Sequence, residues 1–380
     1  PARQREGRGL TFCVLCVAIS AVDWLGVWRA GHASPGSLQA PNTARGREHI
    51  VKKIVVHTGA GPDRVLVEER ESLDRPDIEL RQPGRCGTPE AVLEAVRDAD
   101  VALCGSEPYT REVFAGAPKL KMVIRYGVGV DTIDLNAATE YGVVVGYLPD
   151  FCIDEVANHA LMLLLACAKK VRLLDQTLRQ EGWAASKALL IPMGAVTRET
   201  VGLIAFGNIS RAMAKRCQAL GMKVIASDPF VAPEVFAEAG VEAVSLEELA
   251  ARSDYVSCHL PLSPKTKGFL TADFFHRMKP SAYFINTSRG GVVKEEDLIA
   301  VLQERRIAGA GLDVFEVEPM APGHPFLSMP HVTLTPHCAS YADSTMETQR
   351  RRIGRDALKV LEGGLPDFVA NPAVLDHRRR

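Results

Sequence analysis

The stretch VGLIAFGNIS, Val201–Ser210, decides how the chain is read. An apolar run enters a glycine turn that opens a helix, the strand–turn–helix entry where a dinucleotide's pyrophosphate rests on a helix N-terminus. Laid on the G-x-G-x-x-G fingerprint, the outer positions hold Ala205 and Ser210, and only Gly207 stands in the middle. The first glycine of that fingerprint permits the tight turn, the second lets the backbone approach the pyrophosphate, and the third lets helix pack closely on strand. Gly207 holds the least replaceable position. Ala205 is harmless where its φ is negative, and Ser210 adds a hydroxymethyl group at the cost of a small helix displacement. One glycine of three is a weak signal alone. Context strengthens it, because the strand-like KVIAS ends in Asp228, about twenty residues after Gly207. A carboxylate there accepts hydrogen bonds from the adenosine ribose hydroxyls and repels a 2′-phosphate, which favours NAD over NADP. The bare alternative is that Asp228 opens a turn at Pro229.

Outward from this unit, short β-branched runs alternate with helix-favouring segments in both directions. KIVVH, DVALCG and KMVIR form one series from residue 51. VGLIAFG, KVIAS, YVSCHL, AYFINTS, AGAGLDV and HVTLTPH form another from residue 201. This βαβ rhythm predicts parallel sheets covered on both faces, and a single core does not grow to hold both series. Two α/β domains with a cleft between them are expected. The run DEVANHALMLLLACAKKV predicts a long buried helix linking them, with Asp154 as its N-cap. Residues 341 to 362 predict a charged amphipathic helix.

Composition narrows the function. The 380 residues carry 45 Lys+Arg against 46 Asp+Glu, a formal net charge of -1, and 47% are hydrophobic. That balance gives no whole-molecule field to hold nucleic acid or an anionic membrane. Nine cysteines are scattered, and only Cys13-x-x-Cys16 has metal-like or redox-like spacing. No second pair completes a zinc site, so no metal and free thiols in a reducing compartment are expected. The first fifty residues differ in character: Arg3, Arg5 and Arg8 precede the apolar run LTFCVLCVAISAV, as in a signal peptide. The run is short for a membrane span. A disordered or artefactual extension is preferred, with the remainder cytoplasmic.

Three further strand ends carry chemistry. Arg289 follows an apolar strand in YFINTSRGG, where a guanidinium beside the crevice clamps a carboxylate and polarises an adjacent carbonyl. Asp313, Glu316 and Glu318 lie at and beyond the end of GLDVFEVEP, and His337 follows a strand and a proline in VTLTPHCAS. Separately these are a surface arginine, an acidic loop and a strand-end histidine. Together around one cofactor crevice they are what a carbonyl reduction needs.

RYGVGVDTIDLNAATEYGVVV, DEVANHALML, INTSRGG, AGLDVFEVEP and LTPH, in this order and spacing, resemble the D-isomer-specific 2-hydroxyacid dehydrogenase family from about residue 53 to about 370. RYGVGVD, LPDFCIDEVANHAL and HCASYADS resemble its C-terminal-binding-protein-like and phosphoglycerate-dehydrogenase-like branch, which includes NAD-sensing corepressors as well as enzymes. The resemblance implies two Rossmann-like doubly wound domains. An NAD domain, 154 to 339, is inserted into a substrate domain made of 51 to 153 and 340 to 380. It implies a homodimer, and catalysis by Arg289 on the substrate carboxylate and carbonyl, with His337 as general acid/base and Glu318 as its partner. The neighbouring carboxylate is expected to raise the histidine pKa and keep it protonated for reduction. Gly207, Asn208, Ile209, Asp228, Pro261, Thr287 and Asp313 are the implied cofactor residues, Asp313 touching the nicotinamide carboxamide. Val128 and Gly129, in the loop Gly127–Gly129, are implied to bind the substrate carboxylate. Where the corepressor branch often has a tryptophan, three residues after the histidine, this chain has Ser340, so a more polar pocket is expected. The implied function is NAD-dependent interconversion of a small D-2-hydroxy acid and its 2-keto acid. An NAD(H) sensor acting through a partner and a phosphoglycerate-specific enzyme are the alternatives.

Overall fold

A computed structural model describes residues 51–61 and 63–379. The expectations for residues 1 to 50, the signal-like run and Cys13-x-x-Cys16 among them, lie outside the described residues.

The first series of strands, joined by two that the sequence did not announce, forms a five-stranded parallel sheet: β1 (Lys53–His57), β2 (Ile78–Arg81), β3 (Val101–Cys104), β4 (Met122–Arg125) and β5 (Val144–Gly146), in the order β2-β1-β3-β4-β5. The second forms a seven-stranded parallel sheet: β6 (Thr200–Ile204), β7 (Lys223–Ser227), β8 (Glu242–Ala243), β9 (Tyr255–Cys258), β10 (Tyr283–Asn286), β11 (Gly309–Leu312) and β12 (Val332–Leu334), in the order β12-β11-β10-β9-β6-β7-β8. Both are doubly wound. Strand order reverses between β1 and β3 in one sheet and between β6 and β9 in the other, and a crevice opens at the carboxyl ends of the strands at such reversals.

Burial follows from the cover on both faces. All four residues of β3, β9 and β11 are buried, as parallel strands with two covered faces require. The helix Ile153–Ala168 lays Ala157, Ala160, Leu163, Leu164 and Cys167 against the second sheet. The helix Asp343–Leu361 returns to the first sheet, where Ile353, Ala357, Val360 and Leu361 join the core of Val55, Leu103, Met122 and Ile124. Each buried valine, leucine, isoleucine or methionine among them contributes about 1.5–3 kcal/mol by leaving water. This helix also passes so close to the helix Val67–Leu73 that a Cβ on Gly354 would lie 2.7 Å from the Glu69 carbonyl oxygen.

Two local expectations are corrected. The N-cap of the linking helix is Cys152, without a side-chain hydrogen bond, and Asp154 lies in the first turn, paired with Arg216 at 2.7 Å. That helix ends at Ala168, because Lys170 has φ +51 and starts the separate helix Val171–Glu181. No helix among the described residues is long and apolar enough to cross a membrane.

Candidate active site

At the end of β6 the chain turns through Ala205, Phe206 and Gly207 into the helix Asn208–Ala219. Ala205 has φ +66, so the condition under which alanine is harmless there is not met. The turn needs the left-handed region, where a Cβ costs about 1–2 kcal/mol. The turn is held regardless: Ala205 N–H donates to the Ser227 carbonyl at 2.9 Å, and Phe206 N–H to Asp228 Oδ2 at 2.9 Å. Phe206 is buried and stacks on Phe236 with ring centroids 4.7 Å apart. Relieving the strain by Ala205→Gly is expected to raise the melting temperature by about 2 °C, corresponding to about 1 kcal/mol after the extra chain entropy of glycine is subtracted. A thermal melt showing no rise would remove strain as a property of this turn.

Beyond the turn, Gly207 is the N-cap and contributes no side-chain bond. The N–H groups of Asn208 and Ile209 therefore have no intrahelical acceptor, and a Cβ on Gly207 would meet nothing within 4 Å. Open space in front of free N–H groups fits a pyrophosphate. Ser210, at the third glycine position, is wholly buried and its Oγ has no hydrogen-bond partner among the described residues. Asp228 closes the turn at Pro229 and braces the glycine turn as well. Oδ2 ties the glycine turn and Oδ1 accepts Phe230 N–H at 3.0 Å, and each oxygen retains a second lone pair for a ribose hydroxyl.

The remaining cofactor candidates stand at the same edge of the sheet. Pro261 follows β9 and is exposed. Thr287 follows β10 and is nearly buried, with an Oγ1 that has no partner among the described residues. Asp313 follows β11 and is 0% exposed. Its carboxylate is committed to the chain: Oδ1 accepts from Thr335 Oγ1 (2.6 Å) and Cys338 N–H (3.0 Å), with His159 Nε2 at 3.4 Å, and Oδ2 accepts from Ala339 N–H (2.9 Å). Burial pushes this carboxyl up, but the bonds from His159, Thr335, Cys338 and Ala339 outweigh it and leave it well below the usual aspartate value. The geometry thus gives Asp313 a role the sequence did not suggest, that of shaping the loop that carries His337.

His337 sits in that loop with φ +51, its N–H donating to the Asp313 carbonyl at 2.8 Å. Positive φ at a non-glycine residue persists only where its surroundings impose it. His337 Nδ1 lies 2.6 Å from Glu318 Oε2, and Glu318 Oε1 accepts Phe315 N–H at 3.0 Å. Burial pushes Glu318 up, and the bonds from His337 and Phe315, with the nearby charge of Arg289, more than offset it to leave the carboxyl below the ordinary glutamate value. Glu316 is exposed and makes no bond to the imidazole; its N–H donates to Glu295. The pairing leaves His337 Nε2 as the nitrogen free to exchange a proton.

Arg289 reaches from the end of β10 to the loop after β4. Its Nε donates to Asp131 Oδ1 at 3.0 Å and its Nη1 to the Ser288 carbonyl at 2.8 Å. The approach requires Gly129, since a Cβ there would lie 1.7 Å from Arg289 Nη2. Arg125 Nε donates to the Gly129 carbonyl at 3.1 Å and fixes the loop from the other side. Val128 packs with Cys152, Val156 and Ala339, joining this loop to the linking helix and the His337 loop. Ser340 is half-buried.

Four residues at the site were missed in the sequence. Asp131 orients Arg289, Arg125 braces Gly129, and His159 and Thr335 hold Asp313. The His159 Nε2–Thr335 Oγ1 distance is 2.9 Å. Thr335 spends its own proton on Asp313, so His159 must donate from Nε2. A lone histidine on an apolar helix gives no sequence signal for this.

Comparison with known proteins bears directly on this arrangement. A family model described as D-isomer specific 2-hydroxyacid dehydrogenase, NAD binding domain, matches residues 161–339. The chain is 36% identical over 320 residues to a protein named glyoxylate reductase from Korarchaeum cryptofilum (strain OPF8), covering 83% of this chain and 95% of that one. It is 38% identical over 263 residues to D-3-phosphoglycerate dehydrogenase of Mycobacterium tuberculosis (strain ATCC 25618 / H37Rv), covering 69% of this chain and 48% of that relative, about half its length. Among solved structures, the TT0316 protein from Thermus thermophilus superposes with a TM-score of 0.74 at 32% identity, covering 83% of this chain and 99% of that one. With a match that runs over nearly the whole of one relative, the chain belongs to the D-isomer-specific 2-hydroxyacid dehydrogenase family and carries its NAD-binding domain.

Proposed function

We propose that the protein interconverts a small D-2-hydroxy acid and its 2-keto acid, with residues 154 to 339 as the NAD domain and 51 to 153 with 340 to 380 as the substrate domain. The observation that carries this reading is the 2.6 Å His337–Glu318 pair at the same crevice as Arg289. Bound NAD(H) supplies or accepts the hydride. Arg289 holds the substrate carboxylate with the N–H groups of Val128 and Gly129 and draws charge from the carbonyl oxygen. His337 Nε2 delivers a proton to that oxygen in reduction and removes it in oxidation, while Glu318 fixes the ring and balances its charge. Asn208 and Ile209 meet the pyrophosphate, and Thr287 stands at the end of β10 on the same edge of the sheet.

Asp228 favours NAD. Asp228→Asn is expected to raise the ratio of NADPH to NADH efficiency about tenfold or more, as a lost like-charge contact of about 1.4 kcal/mol implies; an unchanged ratio removes Asp228 from the ribose role. Half-buried Ser340 supports a polar substrate pocket. Exposed apolar residues along the helices Val171–Glu181 and Trp183–Ala188, Trp183 (74% exposed) and Leu178 among them, support a homodimer. Seven free cysteines among the described residues support a reducing, cytoplasmic setting.

The test is to titrate NADH and NADPH by nicotinamide fluorescence and then add glyoxylate, pyruvate or hydroxypyruvate. Oxidation of bound NADH is the expected result. Binding without oxidation of any 2-keto acid would favour the sensor reading.

A further inference from the structure

The first sheet has its own reversal of strand order, between β1 and β3, and Glu107 lies at the carboxyl ends of these strands. Its carboxyl group is tucked against two glycines. A Cβ on Gly59 would lie 2.9 Å from Glu107 Oε1, and one on Gly105 would lie 3.1 Å from the same atom. Oε2 accepts Gly105 N–H at 2.6 Å and the Thr58 hydroxyl at 3.3 Å, and Thr58 in turn meets Tyr109 Oη at 3.0 Å. Thr58 and Tyr109 are 0% exposed and Glu107 is 5% exposed. Every hydrogen bond that Glu107 accepts from the described residues falls on Oε2. Oε1 accepts none, and Glu107 keeps a residual exposure of 5% at the carboxyl ends of β1 and β3. A carboxyl held this firmly with one oxygen unspent is a built acceptor.

Its neighbours connect it to the candidate site. Cys104 and Arg125 end adjacent strands in register, and Arg125 grips the Gly129 carbonyl on the loop that Arg289 approaches. The charges that Arg125 senses include Arg289, Asp131 and Glu107. Gly129 and Arg289, where the carboxylate of a 2-keto acid is proposed to sit, thus share Arg125 as a neighbour with Glu107.

We propose that Glu107 is a specificity-determining residue of the active site: Oε1 accepts a hydrogen bond from a C3 hydroxyl of the substrate and repels a C3 phosphate. The inference rests on the site assigned above. It selects, between the two kinds of substrate that the relatives' names suggest, the small unphosphorylated keto acids. A buried acceptor facing a phosphate finds no proton to accept and meets like charge, so discrimination is larger than a lost contact alone would give.

The test uses the full chain with NADH and three substrates: glyoxylate, hydroxypyruvate and its 3-phosphate. The wild type is expected to favour hydroxypyruvate over the phosphate. In Glu107→Gln, which keeps the shape and loses the charge, the efficiency ratio of the phosphate to glyoxylate is expected to rise about tenfold or more; Glu107→Asp is expected to keep a ratio near the wild type's. A wild type that prefers the phosphate, or a Gln variant with the wild-type ratio, overturns the proposal. Should the Gln variant fail to fold, the wild-type preference decides. A wild type that reduces no 2-keto acid overturns the assigned site itself, and this inference with it.

Discussion

His337→Ala is expected to lower kcat for 2-keto acid reduction by about 10²–10⁴-fold, the usual worth of a positioned acid/base group, while NADH affinity stays close to that of the wild type. The expectation rests on division of labour within the fold. The helix N-terminus at Gly207 and the carboxylate of Asp228 lie at the ends of β6 and β7, whereas His337 follows β12 and is held by Asp313 and Glu318. Removing the imidazole takes away the proton donor and leaves the dinucleotide's contacts untouched. Glu318→Gln should cost less, because the ring keeps a hydrogen-bond partner and loses only the charge beside it. The double variant should fall short of the product of the two effects, since the residues act as a unit. Steady-state rates with NADH fluorescence titration on the same samples decide the matter: turnover unchanged in His337→Ala ends the acid/base assignment, and lost NADH binding would show that the loop also shapes the cofactor site.

How much of this was legible in the sequence depends on how local each cause is. The two parallel sheets followed from alternating apolar runs, and both strand orders obey the usual rules for parallel α/β folds. Strands β2, β5 and β8 were not read: β2 is IELR, half charged, β5 has only three residues, and β8 has only two, both exposed. Arg289, Glu318 and His337 were legible because each ends or follows a strand, and parallel strands bring all such positions to one edge. What the sequence did not show depends on contacts distant along the chain. Arg289 and Asp131 are 158 residues apart, and His159 and Thr335 are 176 apart. Ala205 takes positive φ because Ser227 and Asp228 on the next strand hold its turn. The burial of Asp313 likewise follows from the loop that wraps it, which no local pattern announces.

Gly129→Ala is expected to lower kcat/KM for 2-keto acids by about 10²-fold or more, with little loss of fold stability. The added Cβ would lie 1.7 Å from Arg289 Nη2, 2.7 Å from its Cζ and 2.6 Å from Asp131 Oδ1. All three atoms are ends of flexible side chains, so the backbone need not move. What must move is the guanidinium, and with it the 3.0 Å bond to Asp131 that aims it. A reacting group displaced by about 1 Å is enough for a hundredfold loss. Arg289→Lys gives a comparison, because it keeps the charge but loses the planar fork that can hold a carboxylate and an adjacent carbonyl together; it should be impaired at least as severely. Melting temperature and NADH affinity, measured alongside, separate a displaced guanidinium from a damaged fold. If Gly129→Ala keeps wild-type kcat/KM, Arg289 does not need this approach to the glycine loop, and the substrate carboxylate must be held elsewhere in the crevice.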